Sequence, residues 1–156
     1  MPKEIERKFL TVSDAWRTSD PVYYCQGYLN RDKQRTVRVR VAGELAMLTI
    51  KGVTTGMTRD EYEYPIPLQD AKNLLQLCHQ PLIEKNRSLV EHHGLTFEVD
   101  EFLGLNKGLV VAEVELASED QVVDLPPWIG KEVTDDPRYF NSALSSCPFT
   151  TWPDAS

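Results

Sequence analysis

Six segments of this chain carry two side chains of like charge separated by a single residue, and this repeated device constrains the fold more than any other feature. The doublets are Glu4 and Glu6 in EIERKFL, Arg38 and Arg40 in TVRVRV, Glu61 and Glu63 in TRDEYEY, Lys85 and Arg87 in IEKNRSL, Glu98 and Asp100 in FEVDE, and Glu113 and Glu115 in VAEVEL. Residues two apart project from the same face of a β-strand, so each doublet sets like charges side by side on one face. Ile5, Val39, Tyr62, Val99 and Val114 stand between the partners in five of the six. A half-buried antiparallel sheet with one solvated face accounts for alternation in any single strand. Repeated like-charge doublets strain that reading, because neighbouring like charges weaken a sheet and a merely wetted face mixes Lys, Glu, Thr and Ser.

Alternation of side-chain character predicts strands over residues 2–10, 22–30, 35–42, 45–52, 58–66, 81–92, 95–103 and 108–117. The breaks at 30–33, 42–44, 93–94 and 104–107 are short and suit hairpins of an antiparallel meander, whereas parallel strands need longer crossovers. Leu68, Ala71, Leu74, Leu75 and Cys78 share one helical face, which predicts a helix over Leu68 to Cys78 that Pro81 ends. Asp136 followed by Pro137 reads as an N-cap and a first-turn proline, opening a short amphipathic helix with Phe140, Ala143 and Leu144 that runs to Pro148. The expected fold class is mainly β with a few short helices. Closed as an eight-stranded antiparallel barrel, it turns one face of every strand towards a shared interior with room for side chains or one small ligand. One domain is expected over residues 1–147, followed by a loose tail over 148–156. The outward valines Val37, Val39 and Val41 need cover, either from the Leu68 to Cys78 helix or from a second copy in a homodimer.

Within such a barrel the acids are Glu4, Glu6, Glu61, Glu63, Glu98, Asp100, Glu113 and Glu115, and the bases Lys8, Arg38, Arg40, Lys51, Arg59, Lys85 and Arg87. Two like charges about 4 Å apart repel by roughly 4 kcal/mol at an effective dielectric near 20. Confined carboxylates must therefore protonate, pair with bases or hold cations. A carboxylate set without His or Cys suits a hard ion such as Mg²⁺ or Mn²⁺. The Arg and Lys rows want a multiply charged oxyanion, to which Arg offers a bidentate fork. A metal-chelated polyphosphate satisfies both sets at once.

Other classes fare worse. The formal net charge of −7 gives no overall field to draw nucleic acid or an anionic membrane. Cys25, Cys78 and Cys147 form no CxxC pair, and His79, His92 and His93 have no zinc-site spacing, so the cysteines read as inert packing and the histidines as surface or strand-end residues. The charged opening MPKEIERKFL lacks the apolar run of a signal peptide, and a reduced, cytoplasmic protein is expected.

EIERKFL resembles the ExExK signature of the CYTH superfamily, the triphosphate tunnel metalloenzymes. The later motifs resemble the family's in its order: RVR at Arg38 and Arg40, IKG at Lys51, RxExE from Arg59 to Glu63, KxR at Lys85 and Arg87, ExD at Glu98 and Asp100, and ExE at Glu113 and Glu115. The resemblance implies an eight-stranded antiparallel tunnel that binds triphosphate through bases and a divalent metal through acids. TDDPRYFNSAL resembles the C-terminal helix that packs near one tunnel mouth in short bacterial members. Activities in the superfamily include inorganic, thiamine and RNA triphosphatase and class IV adenylyl cyclase. A short chain leaves little surface for a nucleoside or thiamine, so metal-dependent hydrolysis of inorganic triphosphate to pyrophosphate and phosphate is expected. A cyclase, a thiamine or nucleoside triphosphatase, and a non-catalytic polyphosphate binder stay as alternatives. The implied triphosphate-binding residues are Lys8, Arg38, Arg40, Lys51, Arg59, Lys85 and Arg87, although Arg59 also reads as a salt-bridge partner of Glu61 or Glu63; Tyr28 shares one parity of its strand with Gln26, which makes both candidates for the lining. The implied metal ligands are Glu4, Glu6, Glu61, Glu63, Asp100, Glu113 and Glu115, and the catalytic set is Glu4, Glu6, Lys8 and Lys85. Glu98 reads equally as a salt-bridge partner of Lys85 or Arg87.

Overall fold

Every predicted run of alternation is a strand in the computed structural model, which describes residues 3–153. The strands are β1 (Lys3–Thr11), β2 (Val22–Asn30), β3 (Arg35–Ala42), β4 (Leu45–Gly52), β5 (Thr58–Pro65), β6 (Ile83–His92), β7 (Leu95–Phe102) and β8 (Val110–Glu115). The expected strand start at Pro2 and residues 154–156 of the tail lie outside the described residues. Neighbours run in the order β5-β4-β3-β2-β6-β7-β8-β1, and antiparallel pairing of β1 with β5 closes the barrel. Turn chemistry fixes the hairpins locally. Between β6 and β7, His93 (φ 48°) and Gly94 (φ 81°) both take the left-handed conformation, the combination whose twist matches the flanking strands in a two-residue turn.

A ninth strand, β9 (Ile129–Glu132), was not expected. β5 pairs only with Lys3 to Ile5 of β1, and β9 continues along the same edge opposite Phe9 and Thr11. Gly130 makes the approach possible, because a Cβ there would meet a Val12 methyl at 2.9 Å and the Leu10 carbonyl oxygen at 3.2 Å.

The predicted helix is present as α1 (Leu68–Leu77), with Ala71 and Leu75 buried. They pack on Val39, Ala46 and Cys78, with Val41 and Leu48 partly buried beside them. The helix thus covers Val39 and part of Val41 on the outer valine face. On the opposite wall, Phe9, Phe97, Val99, Ala112 and Val114 face outward under Trp16 and Trp128 from the connecting loops. Fully burying such side chains contributes roughly 1.5–3 kcal/mol each, so the barrel wall is held largely from outside.

The C-terminal segment departs from expectation in two ways. The expected continuous helix is a 3₁₀ turn at Pro137–Tyr139, capped by the Asp136 side chain as predicted, and a separate α2 (Asn141–Ser146). Phe140 between them is extended, with φ −69° and ψ 137°. The stretch after Pro148, expected to be loose, forms a 3₁₀ turn at Phe149–Thr151, and Trp152 is buried. Trp152 joins Leu144, Tyr139, Val133 and Leu109 against Ile83, Phe102 and Val111. Ile83 shares its face of β6 with Lys85, Phe102 its face of β7 with Asp100, and Val111 its face of β8 with Glu113. One end of the barrel interior is therefore an apolar plug built by the C-terminal segment. No described helix is long and apolar enough to cross a membrane.

Candidate active site in the barrel interior

Beyond the plug the interior is a cavity of about 370 Å³, and its walls carry the predicted charge doublets with the exception of Asp100. Glu4, Glu6 and Lys8 come from β1, Arg38 and Arg40 from β3, Lys51 from β4, Arg59, Glu61 and Glu63 from β5, Lys85 and Arg87 from β6, and Glu113 and Glu115 from β8. Tyr28 lines it from β2, as expected. Register sorts these charges into two walls. Glu6 stands opposite Glu115, and Glu98 opposite Glu113, so carboxylates crowd along β7, β8 and β1. Guanidinium and ammonium groups crowd along β3, β4 and β6.

Ion pairs stitch the walls together. Lys51 Nζ donates to both carboxylate oxygens of Glu4 at 2.9 and 3.0 Å and lies 3.4 Å from Glu61. Lys8 Nζ donates to Glu6 at 2.5 Å. Burial alone would lower the Lys8 pKa, but Glu6, Glu113 and Glu4 outweigh it and hold the ammonium charged. Burial likewise would raise Glu6, and Lys8 brings it below its ordinary value. The Glu115 carboxyl is pushed up, first by burial and then by Glu4, Glu61, Glu6 and Glu98. Glu98 is also raised, by burial, although Arg87 Nη1 donates to it at 3.0 Å.

Asp100, expected among the metal ligands, has a different place. It is 1% exposed and does not line the cavity. Its oxygens take Arg87 Nε at 2.8 Å, Arg87 Nη2 at 2.9 Å and Lys85 Nζ at 2.7 Å. Burial would raise its pKa, but these two cations hold it low. Asp100 is thus the counter-charge that lets two bases sit together in the wall. Lys85 is nevertheless lowered to about 7, by burial and by the neighbouring Arg87 and Arg40, against the pull of Asp100. Arg40 falls to about 10 through burial and the nearby Arg38 and Arg87. This wall holds more positive charge than its own partners neutralise.

Several contributors are neutral and carried no charge signal. Tyr24 lines the cavity with its ring 4.9 Å from the Arg40 guanidinium and 4.7 Å from that of Arg87, an aromatic spacer between like charges. Gln26 Oε1 accepts from Arg40 Nε at 2.7 Å. Asn141, at the start of α2, accepts from Gln26 Nε2 at 2.9 Å and from Lys85 Nζ at 3.0 Å. Arg38 reaches Thr49 at 3.2 Å, and the Nε groups of Arg38 and Arg59 are buried with no hydrogen-bond partner among the described residues. Unmet buried N–H groups beside a charged cavity suit an anionic ligand. Glu98 also lines the cavity, which strand parity indicated but its salt-bridge reading discounted. His93 pairs with Asp124 at 3.2 Å at the β6–β7 turn, outside the cavity lining.

A closed antiparallel barrel with cations on one interior wall and crowded carboxylates on the other defines a binder of chelated polyanions. The CYTH domain family profile matches residues 2–145, and the chain belongs to this family. It is 51% identical over 151 residues to an inorganic triphosphatase of Acetivibrio thermocellus, an alignment covering 96% of this chain and 97% of that protein. It is 38% identical over 146 residues to an inorganic triphosphatase of Nitrosomonas europaea, covering 91% and 96%. A crystal structure of an inorganic triphosphatase superposes with a TM-score of 0.67 at 36% identity, covering 93% of this chain and 95% of that one.

Proposed function

We propose that this protein hydrolyses inorganic triphosphate to pyrophosphate and phosphate inside its barrel with the help of Mg²⁺ or Mn²⁺. The observation that carries the reading is the two-walled cavity, with Arg38, Arg40, Lys85 and Arg87 facing Glu4, Glu6, Glu113 and Glu115. Relatives named inorganic triphosphatase across nearly the whole chain support it. The bases, with Lys8, Lys51, Arg59 and Tyr28, would grip the phosphate oxygens and hold the chain in line. Phosphoryl transfer passes through a charge-rich, largely dissociative transition state, so positioning and neutralisation supply most of the catalysis. The cations are already desolvated and fixed by their partners, so they need little reorganisation as charge shifts.

The donor set fits a hard divalent ion, since the carboxylates of Glu4, Glu6, Glu113 and Glu115 crowd without a thiolate or imidazole. Glu61 and Glu63 would be further ligands, and they lie 3.4 Å from Lys51 and 3.8 Å from Arg38, respectively. When bound, the ion supplies charge neutralisation and Lewis-acid polarisation of a phosphoryl oxygen. In this reading Glu4 and Glu6 would orient the attacking water, and Lys8 and Lys85 would meet the phosphoryl oxygens. The free cysteines suit a reducing compartment such as the cytoplasm.

Phosphate release from triphosphate, ATP and thiamine triphosphate, each with Mg²⁺, Mn²⁺ or chelator, tests the reading. Metal-dependent preference for triphosphate is expected. Cyclic AMP and pyrophosphate from ATP with triphosphate untouched would replace the hydrolase by a cyclase, and tight binding without turnover would leave only a polyphosphate binder.

A further inference from the structure

The extended backbone at Phe140 sets its ring against two tunnel cations. Lys8 Nζ lies 5.1 Å from the ring centroid and the Arg59 guanidinium carbon 6.0 Å. On one side of the ring is the charged cavity. On the other is a second cavity of about 320 Å³, bordered by Lys33, Val53, Thr54, Asp135 and Pro137. A gap of only about 10 Å³ runs beside them, along Glu6, Lys8 and Thr134. Phe140 and Arg59 border all three spaces. Arg59 is braced from both sides, its Nη1 on Thr54 at 3.2 Å and its Nη2 on Thr36 at 3.4 Å. Thr36 and Ser142 also border both large cavities, so the partition is the Phe140 ring and the braced Arg59 guanidinium, with these two small side chains at its edge.

We propose that Phe140, backed by Arg59, closes this end of the tunnel, so that the terminal phosphate bound beside Lys8 and Arg59 must be unesterified. The inference rests on triphosphate lying in the tunnel as argued above. A phenyl ring offers no donor to a phosphate oxygen, and the two cation–π contacts keep it in place. A chain carrying an organic group on that phosphate would need the volume the ring fills. The space beyond is not hostile to such a group, since Val53 and Pro137 give it apolar surface and Lys33 and Thr54 give it polar contacts. Phe140 is therefore a specificity-determining residue. An ester on one end of the substrate is compatible with the opposite mouth, whereas esters on both ends are not compatible with the closed one.

The probe is P1,P3-diadenosine triphosphate, capped at both ends, as a competitor of inorganic triphosphate for the wild type, Phe140→Ala and Phe140→Leu. It is expected to compete poorly with the wild type. Its apparent inhibition constant should fall by about tenfold or more in Phe140→Ala, with Phe140→Leu between the two. Equal inhibition of wild type and variants, or no fall in either variant, overturns the proposal. Should Phe140→Ala fail to fold, Phe140→Leu decides it by the same criterion. Competition is also readable as displacement of bound triphosphate. A wild type that binds triphosphate without cleaving it therefore defeats the hydrolase reading while the inhibition constants still judge Phe140.

Discussion

On β6, β7 and β8 the interior face is apolar at Ile83, Phe102 and Val111, and charged only two residues away at Lys85, Asp100 and Glu113. The apolar end meets Leu144 and Trp152 from the C-terminal segment, and burial there stabilises the fold with no ligand present. At the charged end burial, reinforced by neighbouring like charges, raises Glu115 and lowers Lys85 and Arg40, so these groups are short of the counter-charge that a ligand would bring. The contrast teaches that stability and affinity are divided along one barrel axis. One end anchors the chain, and the other keeps unmet charge for a polyanion and its cation.

The largest effect expected from breaking this division is at Asp100, the counter-charge inside the charged end. Asp100→Ala leaves Lys85 and Arg87 side by side, and urea unfolding should show a loss of about 3–5 kcal/mol. Because the Asp100 pKa is depressed below 3.8, its stabilisation is present above that value and is lost as pH falls through the folded pKa. Arg38→Ala should separate the two properties the other way, with turnover of triphosphate down about 10²–10³-fold and the melting temperature little changed. Leu144→Ala, at a fully buried plug position, should lower stability by about 3 kcal/mol, a larger loss than Arg38→Ala gives. The division fails if Arg38→Ala unfolds the protein more than Leu144→Ala does.

A smaller effect links pH to the carboxylate wall. The raised Glu115 pKa means that protons compete with a cation above the ordinary carboxylate range. The melting-temperature gain from added Mn²⁺ should therefore be greater near pH 7 than about pH 5. A gain independent of pH would place the ion elsewhere. The smallest effect belongs outside both ends. Arg7 points away from the interior and pairs with Glu132 of β9 at 2.8 Å, so Arg7→Ala should cost less than about 1 kcal/mol and leave turnover at the wild-type rate.

Much of the site was legible because charge on a strand declares its face. Once Glu4, Lys8, Arg38 or Glu113 is placed on a strand, alternation alone says which neighbours share its side. Asp100 obeyed that parity, yet its place behind two bases was not legible, because only the register that sets it opposite Arg87 shows its carboxylate paired with Arg87 and Lys85. Tyr24 and Asn141 escaped notice, and Gln26 was marked only by its parity with Tyr28, since neutral polar and aromatic residues on a strand or helix look the same whether they brace a cation or merely pack. β9 escaped because four residues, Ile-Gly-Lys-Glu, are too few to show a period. The buried Trp152 looked like part of a loose tail because its partners Tyr139 and Phe149 form a cluster only when the segment folds back on the barrel end.

By itself the sequence determined the strands, their faces and the sign of each charge, because these follow from local backbone geometry and side-chain chemistry. Only the tertiary structure decided which acid meets which base, where the interior turns from charged to apolar, and that Phe140 stands between two cavities. Those depend on the stagger of the closed barrel and on the extended residue Phe140 that interrupts the C-terminal helix, which no local period encodes.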